Sequence, residues 1–197
     1  MAPLPDSNEG ARIAFYVVFG AFLLLEWRIR LRSQFNPSGT RVERGSLRLV
    51  YVTIAGGLIG AFLLATRVHA AAIPSGRWVL FGVGLALMVA GIALRQWAIA
   101  VLGRFFTVNV RIHPDQQVVD RGPYRWVRHP SYTGLLATLL GIGLALGNWA
   151  ALALVVLLPA IGLVARIRVE ERALVTGLGE PYRRFAATRA HLIPGIW

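Results

Sequence analysis

Five long apolar runs divide the chain and limit the folds open to it. They occupy residues 12–28, 48–66, 78–101, 132–146 and 149–166. Because a helix needs about 20 apolar residues to cross the hydrocarbon core of a bilayer, each run is a candidate membrane helix. The last two runs are short and meet at Gly147-Asn148, a pair typical of turns. The sequence therefore predicts an all-α integral membrane protein with about five transmembrane helices, the last two forming a tight helical hairpin.

The composition excludes several classes of protein. Of the 197 residues 56% are hydrophobic, and the mean hydropathy of +0.58 lies outside the usual balance of soluble domains. All 21 basic residues are arginine and outnumber nine acids, which gives a net charge of +12. The arginines lie between apolar runs rather than in one basic stripe, so we expect a lipid bilayer as a partner and no nucleic acid. Without cysteine, disulfides, iron–sulfur clusters and a thiol nucleophile are excluded, and we expect no metal.

The arginines also predict an orientation. Seventeen lie in the 28–48 connection, the 102–131 connection and the segment from residue 166 onwards, whereas the opposite side has only Arg12, Arg67 and Arg77. Positive charge favours the cytoplasmic side, so the N-terminus is predicted to lie outside. The first eleven residues contain no arginine, so the first run is interpreted as a retained span rather than a cleaved signal peptide. Arg95, the remaining arginine, lies near the inner end of the third run. It is interpreted either as a functional residue, or as a member of a structural ion pair or a residue that snorkels to the interface.

A basic, aromatic stretch, RGPYRWVRHPSYTGLL at residues 121–136, precedes the hairpin. The proline after His129 disfavours helix there, and Ser131 is predicted to cap the helix that follows. Arginines near the first amides of a helix form an anion site, and Tyr124 and Trp126 offer rings for stacking a base. A plain interfacial belt of tryptophan, tyrosine and arginine has a similar composition. Both interpretations are open at this point.

A second charged cluster, ARIRVEERAL at residues 165–174, follows the last run. Arg166 and Glu170 are four residues apart and share one helix face, while Arg168 and Glu171 are three apart on a neighbouring face. Such pairs are common on exposed helices. In a functional site, Arg166 would instead hold an anionic group and Glu170 a cation or a hydroxyl.

Four segments together resemble one known family. GPYRWVRHPSYTG, RIRVEE, GEPYRRF and HLIPGIW, in this order over about residues 102–197, resemble the isoprenylcysteine carboxyl methyltransferase family and its bacterial relatives. The resemblance implies a membrane methyltransferase that uses S-adenosyl-L-methionine and releases S-adenosyl-L-homocysteine, without a Rossmann domain. Hydropathy predicts a three-span membrane region at 1–101, and the resemblance implies a catalytic region at 102–197 in a protein of the bacterial inner membrane. The cofactor pocket would be cytoplasmic and formed by the loop before the hairpin and the C-terminal segment.

The resemblance also implies roles for particular residues. Glu170 would contact the cofactor and Arg166 would orient the carboxylate of the acceptor, and both are expected to be catalytic. Gln116 occupies a position where histidine is usual in the family. The other cofactor-binding residues, with Gln116 and Glu170, would be Asn109, Gln117, Val118, Val119, Tyr124, His129, Pro130, Ser131 and Tyr132.

The acceptor is expected to be lipophilic, like isoprenylcysteine, and to enter from the bilayer beside the short hairpin. A carboxylate acceptor needs positioning but no general base, whereas an amine or thiol would need His129 or Glu170 as the base. Alternatives on the same scaffold are a phospholipid amine, a small thiol or an isoprenoid lipid. A non-enzymatic scaffold or a transporter subunit is the alternative of another class, although transporters usually have polar or broken helices near the midplane. Tyr182, Phe185 and residues 194–197 are expected either to close over the site or to lie on the membrane surface.

Overall fold

Six helices make up most of the chain. The structure, a computed structural model, describes residues 6, 8–35, 40–41, 45–109, 111–113 and 115–195. The helices are α1 (Glu9–Phe35), α2 (Ser46–Arg67), α3 (Arg77–Leu102), α4 (Pro130–Leu146), α5 (Trp149–Leu178) and α6 (Glu180–Ala187). Two short strands, β1 (Thr40–Arg41) and β2 (Arg111–Ile112), pair antiparallel. By length and composition α1, α2, α3 and α5 are able to cross a membrane, and α4 is a shorter apolar helix of 17 residues. The predicted helical membrane architecture is confirmed.

Helix α5 is much longer than the apolar run that predicted it. The run ends at residue 166, but the helix continues to Leu178 and has 30 residues. Residues 167–178 contain no proline and a single glycine, Gly177, at which the helix does not stop; Gly179 ends it with a positive φ of 63°. The run at 149–166 therefore marks only the part of the helix inside the lipid, and the helical spacing predicted for Arg166, Glu170 and Glu171 is confirmed. As a result Arg166, Glu170 and Glu171 lie on one continuous helix.

Helices α3 and α4 approach each other closely through glycines. A methyl group added to Gly84 would lie 2.6 Å from the carbonyl oxygen of Gly141, and one added to Gly134 would lie 2.6 Å from the carbonyl oxygen of Gly91. Real side chains do not tolerate such distances, so both pairs depend on the missing Cβ. Small residues allow membrane helices to pack backbone against backbone. The contact brings the start of α4 against the last turns of α3.

The turn between α4 and α5 forms as the sequence predicts. Gly147 has a φ of 67°, and the Asn148 side chain accepts a hydrogen bond from the Ala151 amide at 3.0 Å. Its Nδ2 donates to the carbonyl oxygen of Val68 at 2.9 Å, which fixes the turn to the end of α2. Asn148 therefore caps α5 and links the hairpin to the N-terminal helices.

Helix α1 is attached to its neighbours at two levels. Near its start the rings of Phe15 and Phe19 pack on Phe62 of α2, with centroids 6.2 and 5.5 Å apart. Towards its end Glu26 pairs with Arg95 of α3. Most of the helix otherwise faces outwards, in keeping with a membrane environment.

Candidate active site

One large cavity gathers nearly all residues that the sequence predicts for the site. It encloses about 1330 Å³, counted out to its open mouth, between the inner ends of the long helices and the connection from α3 to α4. Pro130, which starts α4, is buried and is not among the lining residues. The other eleven predicted residues line the cavity: Asn109, Gln116, Gln117, Val118, Val119, Tyr124, His129, Ser131, Tyr132, Arg166 and Glu170.

The connection before the motif forms one wall through local hydrogen bonds. The Gln116 side chain accepts a hydrogen bond from the His113 amide at 3.1 Å, and the Gln116 amide donates to the His113 carbonyl at 3.1 Å. Thr107 donates to the carbonyl of Asn109 at 2.6 Å, and the Val108 amide donates to Ser33 of α1 at 3.0 Å. The Gln116 side chain thus helps to shape its own loop.

A short 3-10 helix at Gly122–Arg125 places Tyr124 in the wall. Its hydroxyl donates to the carbonyl of Ala98 at 3.4 Å. Burial, with the nearby Glu170 carboxylate, raises the pKa of Tyr124 well above its usual value, so the ring stays a neutral phenol. Trp126 is 53% exposed and packs on Trp97 outside the cavity, with ring centroids 6.0 Å apart. The predicted stacking role of Trp126 is therefore not supported by its position.

Glu171 is the centre of a buried polar network. One of its oxygens lies 2.7 Å from His129 Nε2 and accepts a hydrogen bond from the Tyr182 hydroxyl at 2.7 Å. The other oxygen accepts from Arg128 Nη1 at 2.5 Å. An ionised carboxylate only accepts hydrogen bonds, so His129 carries a proton on Nε2. Burial, together with the Glu171 charge, raises the pKa of Tyr182.

The segment after α6 runs beside the start of α4 and completes this network. The amides of Arg128 and His129 donate to the carbonyls of Ala190 and His191, at 2.8 and 3.0 Å. Arg128 Nη2 lies 2.8 Å from a ring nitrogen of His191, and burial and this cation lower the pKa of His191. The Thr133 hydroxyl donates to the carbonyl of Leu192 at 2.8 Å. The C-terminal segment is thus tied to the motif by its backbone.

Arg166 and Glu170 face the cavity from α5. The Tyr132 hydroxyl donates to a Glu170 oxygen at 2.8 Å, and His129 Nδ1 lies 3.9 Å from the same oxygen. Arg166 is 3% exposed and donates to the Ser46 hydroxyl at 2.8 Å and to the Val108 carbonyl at 2.6 Å. These partners come from distant parts of the chain, so the cluster is not a plain pattern of surface pairs along one helix.

The predicted cap at Ser131 is wrong. His129 occupies the N-cap position of α4, and its carbonyl accepts the amides of Tyr132 and Thr133 at 2.9 and 3.1 Å. Those two amides are therefore not directed at an anion. The Ser131 hydroxyl instead accepts a hydrogen bond from Arg95 Nη1 at 2.7 Å, since the proline already starts the helix one residue earlier.

Two residues of α6 that the sequence analysis named line the cavity. Tyr182 and Phe185 both lie in its wall, as expected if this segment closes over the site, and Ile196 and Trp197 lie outside the described residues.

Other lining residues escaped the sequence analysis. The motif itself signals Arg128, but Glu26 and Tyr51 stand in apolar runs with no neighbouring motif. Only a contact map would have identified them.

Comparison with known proteins shows what this region of the chain is similar to. Residues 84–176 match the isoprenylcysteine carboxyl methyltransferase (ICMT) family, and all the predicted site residues fall within this range. The matched region covers 93 of the 197 residues, just under half of the chain. The match begins in α3 and ends near the end of α5, so it contains the hairpin and the motif before it.

Individual members of the family extend the similarity beyond that region. A probable protein-S-isoprenylcysteine O-methyltransferase of Oryza sativa subsp. indica is 32% identical over 111 residues, which is 55% of this chain and 58% of the relative. The protein-S-isoprenylcysteine O-methyltransferase of Schizosaccharomyces pombe is 28% identical over 87% of this chain and 78% of its own length. A solved structure of a eukaryotic intramembrane Ras methyltransferase, also an ICMT, matches with a TM-score of 0.61 and 26% identity. That match covers 79% of this chain and 55% of the solved one, so the chain spans little more than half of several relatives. The long helices and this fold make the chain a multi-pass membrane protein.

Proposed function

We propose that the chain is an S-adenosyl-L-methionine-dependent membrane methyltransferase that methylates the carboxylate of a lipophilic, isoprenylcysteine-like acceptor. The observation that carries the proposal is the cavity itself. The loop before the hairpin, the start of α4 and the two charged residues of α5 are far apart in sequence, yet they line one space. The relatives' names, which describe methylation of isoprenylcysteine, support the choice of acceptor.

The lining of the cavity suits S-adenosyl-L-methionine in its chemistry. Glu170 is bonded to Tyr132 but keeps 30% of its side chain accessible, and a carboxylate suits an ammonium or a ribose hydroxyl. Tyr124 and His129 add a neutral phenol and an imidazole. When bound, the cofactor supplies a methyl group on a positively charged sulfur.

Arg166 has the properties needed to hold the acceptor carboxylate. Its bonds to Ser46 and to the Val108 carbonyl fix the plane of the guanidinium, and a fixed guanidinium aims a carboxylate through charged hydrogen bonds. An ionised carboxylate is already nucleophilic, so the chain has to position it and exclude water rather than remove a proton.

The lipophilic part of the acceptor is proposed to lie against α1 and α2. Four apolar residues of these helices line the cavity: Ile29, Leu47, Val50 and Ile54. Entry beside the short hairpin was the sequence-based expectation, whereas these four apolar residues belong to the N-terminal helices. We therefore propose that the acceptor enters from the bilayer on the side of α1 and α2. The division of the chain into a membrane region at 1–101 and a catalytic region at 102–197 also stays a prediction, since residues of both regions line the cavity.

The arginine distribution supports an orientation with the N-terminus outside and the cavity mouth at the cytoplasmic face of a bacterial inner membrane. The donor would then come from the cytoplasm and the acceptor from the lipid. Cysteine accessibility of engineered single cysteines at the N-terminus and in the 67–77 loop, in intact cells, tests this orientation, because the native chain has no cysteine.

Methyl transfer from tritiated S-adenosyl-L-methionine to N-acetyl-S-farnesyl-L-cysteine, by the full chain in lipid vesicles, tests the activity. The expected product is a methyl ester, which releases volatile methanol in alkali. The pre-formed methyl ester of the same compound is the matched control and should accept no label. Label that resists alkali would point to methylation of nitrogen or sulfur and contradict the carboxylate acceptor. Absence of S-adenosyl-L-homocysteine binding by folded protein would contradict the methyltransferase itself.

A further inference from the structure

A buried ion pair connects the first helix to the candidate site. Arg95 of α3 donates through Nε and Nη2 to the two carboxylate oxygens of Glu26 of α1, with Nη2 2.8 Å from Oε2. The arginine side chain is 10% exposed and the glutamate side chain 26%. Two parallel bonds of this kind fix the plane of a guanidinium as well as its position. Glu26 lies outside the region 84–176 that matches the family.

The third arm of the same guanidinium reaches the motif. Arg95 Nη1 donates to the Ser131 hydroxyl at 2.7 Å and to the Ser131 carbonyl at 3.1 Å. Ser131 is 7% exposed and lies in the first turn of α4, directly before Tyr132. Because Glu26 holds two arms of the guanidinium, it determines where the third arm points. The orientation of Ser131 therefore depends on a residue 105 positions earlier in the chain.

We propose that Glu26 is a positioning residue of the methyltransferase: through Arg95 it holds the first turn of α4 in the geometry that binds the donor. The inference rests on the proposed function. Glu26 acts through another side chain and is not a catalytic residue. In this reading α1 is part of the site rather than a membrane anchor alone.

The need to attach α1 does not account for the ion pair. The helix is also attached near its start, where Phe15 and Phe19 pack on Phe62. Burying two charges is expensive, and apolar residues of similar size usually hold helices together as well or better. Apolar contacts, however, do not fix the direction of a hydrogen bond. A guanidinium that Glu26 holds through Nε and Nη2 points its Nη1 donor at one acceptor, which here is Ser131.

Calorimetric binding of S-adenosyl-L-homocysteine to the full chain in detergent tests the inference. We expect E26Q to weaken binding by about tenfold, because the amide cannot accept two charged hydrogen bonds and the guanidinium loses its fixed plane. E9Q is the matched control. It removes a glutamate from the first turn of the same helix, and Glu9 is exposed and far from the cavity, so its affinity should equal that of the wild type.

A double-mutant cycle with S131A separates positioning from a general loss of packing. If Glu26 acts through Ser131, the E26Q/S131A protein binds no more weakly than E26Q alone, since the same link is already broken. If E26Q leaves Arg95 unpaired and the protein does not fold, E26Q/R95Q removes both charges and leaves two neutral amides in their place. This second variant should be folded and should still bind weakly.

Each outcome has one meaning. Wild-type affinity in E26Q, or in a folded E26Q/R95Q, overturns the inference and leaves the proposed function intact. Additive effects of E26Q and S131A also overturn it, because the two residues would then act independently. Lack of binding by the folded wild type overturns the proposed function instead.

Discussion

Replacing Gly91 with alanine should push α3 and α4 apart where they support the site. The added methyl group would lie 2.5 Å from the Gly134 carbonyl oxygen, 2.5 Å from Thr138 Oγ1 and 2.6 Å from the Thr138 amide nitrogen. Two of these atoms are backbone and have no rotamer that relieves the contact. The helices must therefore separate, which also lengthens the link from Arg95, one turn further along α3, to the start of α4.

The size of the effect follows from two opposing contributions. Alanine gains about 1 kcal/mol over glycine inside a helix, whereas overpacking costs about 1–3 kcal/mol. Gly82 of the same helix is the matched control, since an added methyl group there has no atom within 4 Å. The helix contribution is the same in both variants and cancels. G91A should therefore be less stable than G82A by about 1–3 kcal/mol, and its melting temperature should be lower by roughly 2–12 °C.

Thermal unfolding of both variants in one detergent, followed by tryptophan fluorescence, measures this difference. Binding of S-adenosyl-L-homocysteine well below the melting temperature then reports whether the start of α4 has moved. A G91A protein as stable as G82A, with undiminished binding, would show that the two helices do not touch along this line.

Three further predictions concern the polar residues. R166A should lower methyl transfer by about a hundredfold or more while leaving S-adenosyl-L-homocysteine binding intact. Arg168 of the same helix is exposed, and its replacement by alanine is the control. Loss of binding together with activity in R166A would contradict a role confined to the acceptor. E171Q should weaken S-adenosyl-L-homocysteine binding by about tenfold or more, because charged hydrogen bonds to three side chains are lost, whereas E180Q at an exposed position should bind normally. Because the pKa of His191 is lowered, this histidine binds fewer protons in the native protein than in the unfolded chain. The stability that the neutral imidazole contributes is therefore complete above pH 6.5 and is lost as the pH falls through the pKa of the folded state. H191Q should flatten this decline in melting temperature below pH 6.5, and an identical decline in both proteins would refute the assignment.

Hydropathy was sufficient to predict the architecture. A long apolar run has few alternatives to a membrane helix, because lipid offers no partner for an unpaired backbone group. The Gly147-Asn148 turn was predictable for a local reason, since glycine tolerates a positive φ and asparagine caps the next helix. The end of α5 was not predictable from hydropathy, because a helix that leaves the membrane changes its environment without changing its backbone.

The site was predictable where its residues stand in a motif and not where they act at a distance. The spacing of Glu171 suggests a partner on its own helix, but its partners come from the start of α4 and from α6. Ser131 fits the composition of a cap, yet a proline that precedes it starts the helix, and the hydroxyl is then available to Arg95. Glu26 had no signal in its surroundings. Helix-spacing rules describe neighbours within a turn, whereas these contacts depend on how six helices pack.

The length of α5 relates the candidate site to the thickness of the bilayer. With a rise of about 1.5 Å per residue, the 22 residues from Trp149 to Glu170 cover about 32 Å, close to the roughly 30 Å of a hydrocarbon core. An exposed tryptophan at one end of the helix favours one membrane interface, and the charged residues at the other end favour the opposite interface. The length of the helix thus determines that Arg166 and Glu170 lie about one bilayer thickness from Trp149. In a thicker or thinner membrane the helix has to change its tilt, and the depth of these two side chains below the headgroups changes with it.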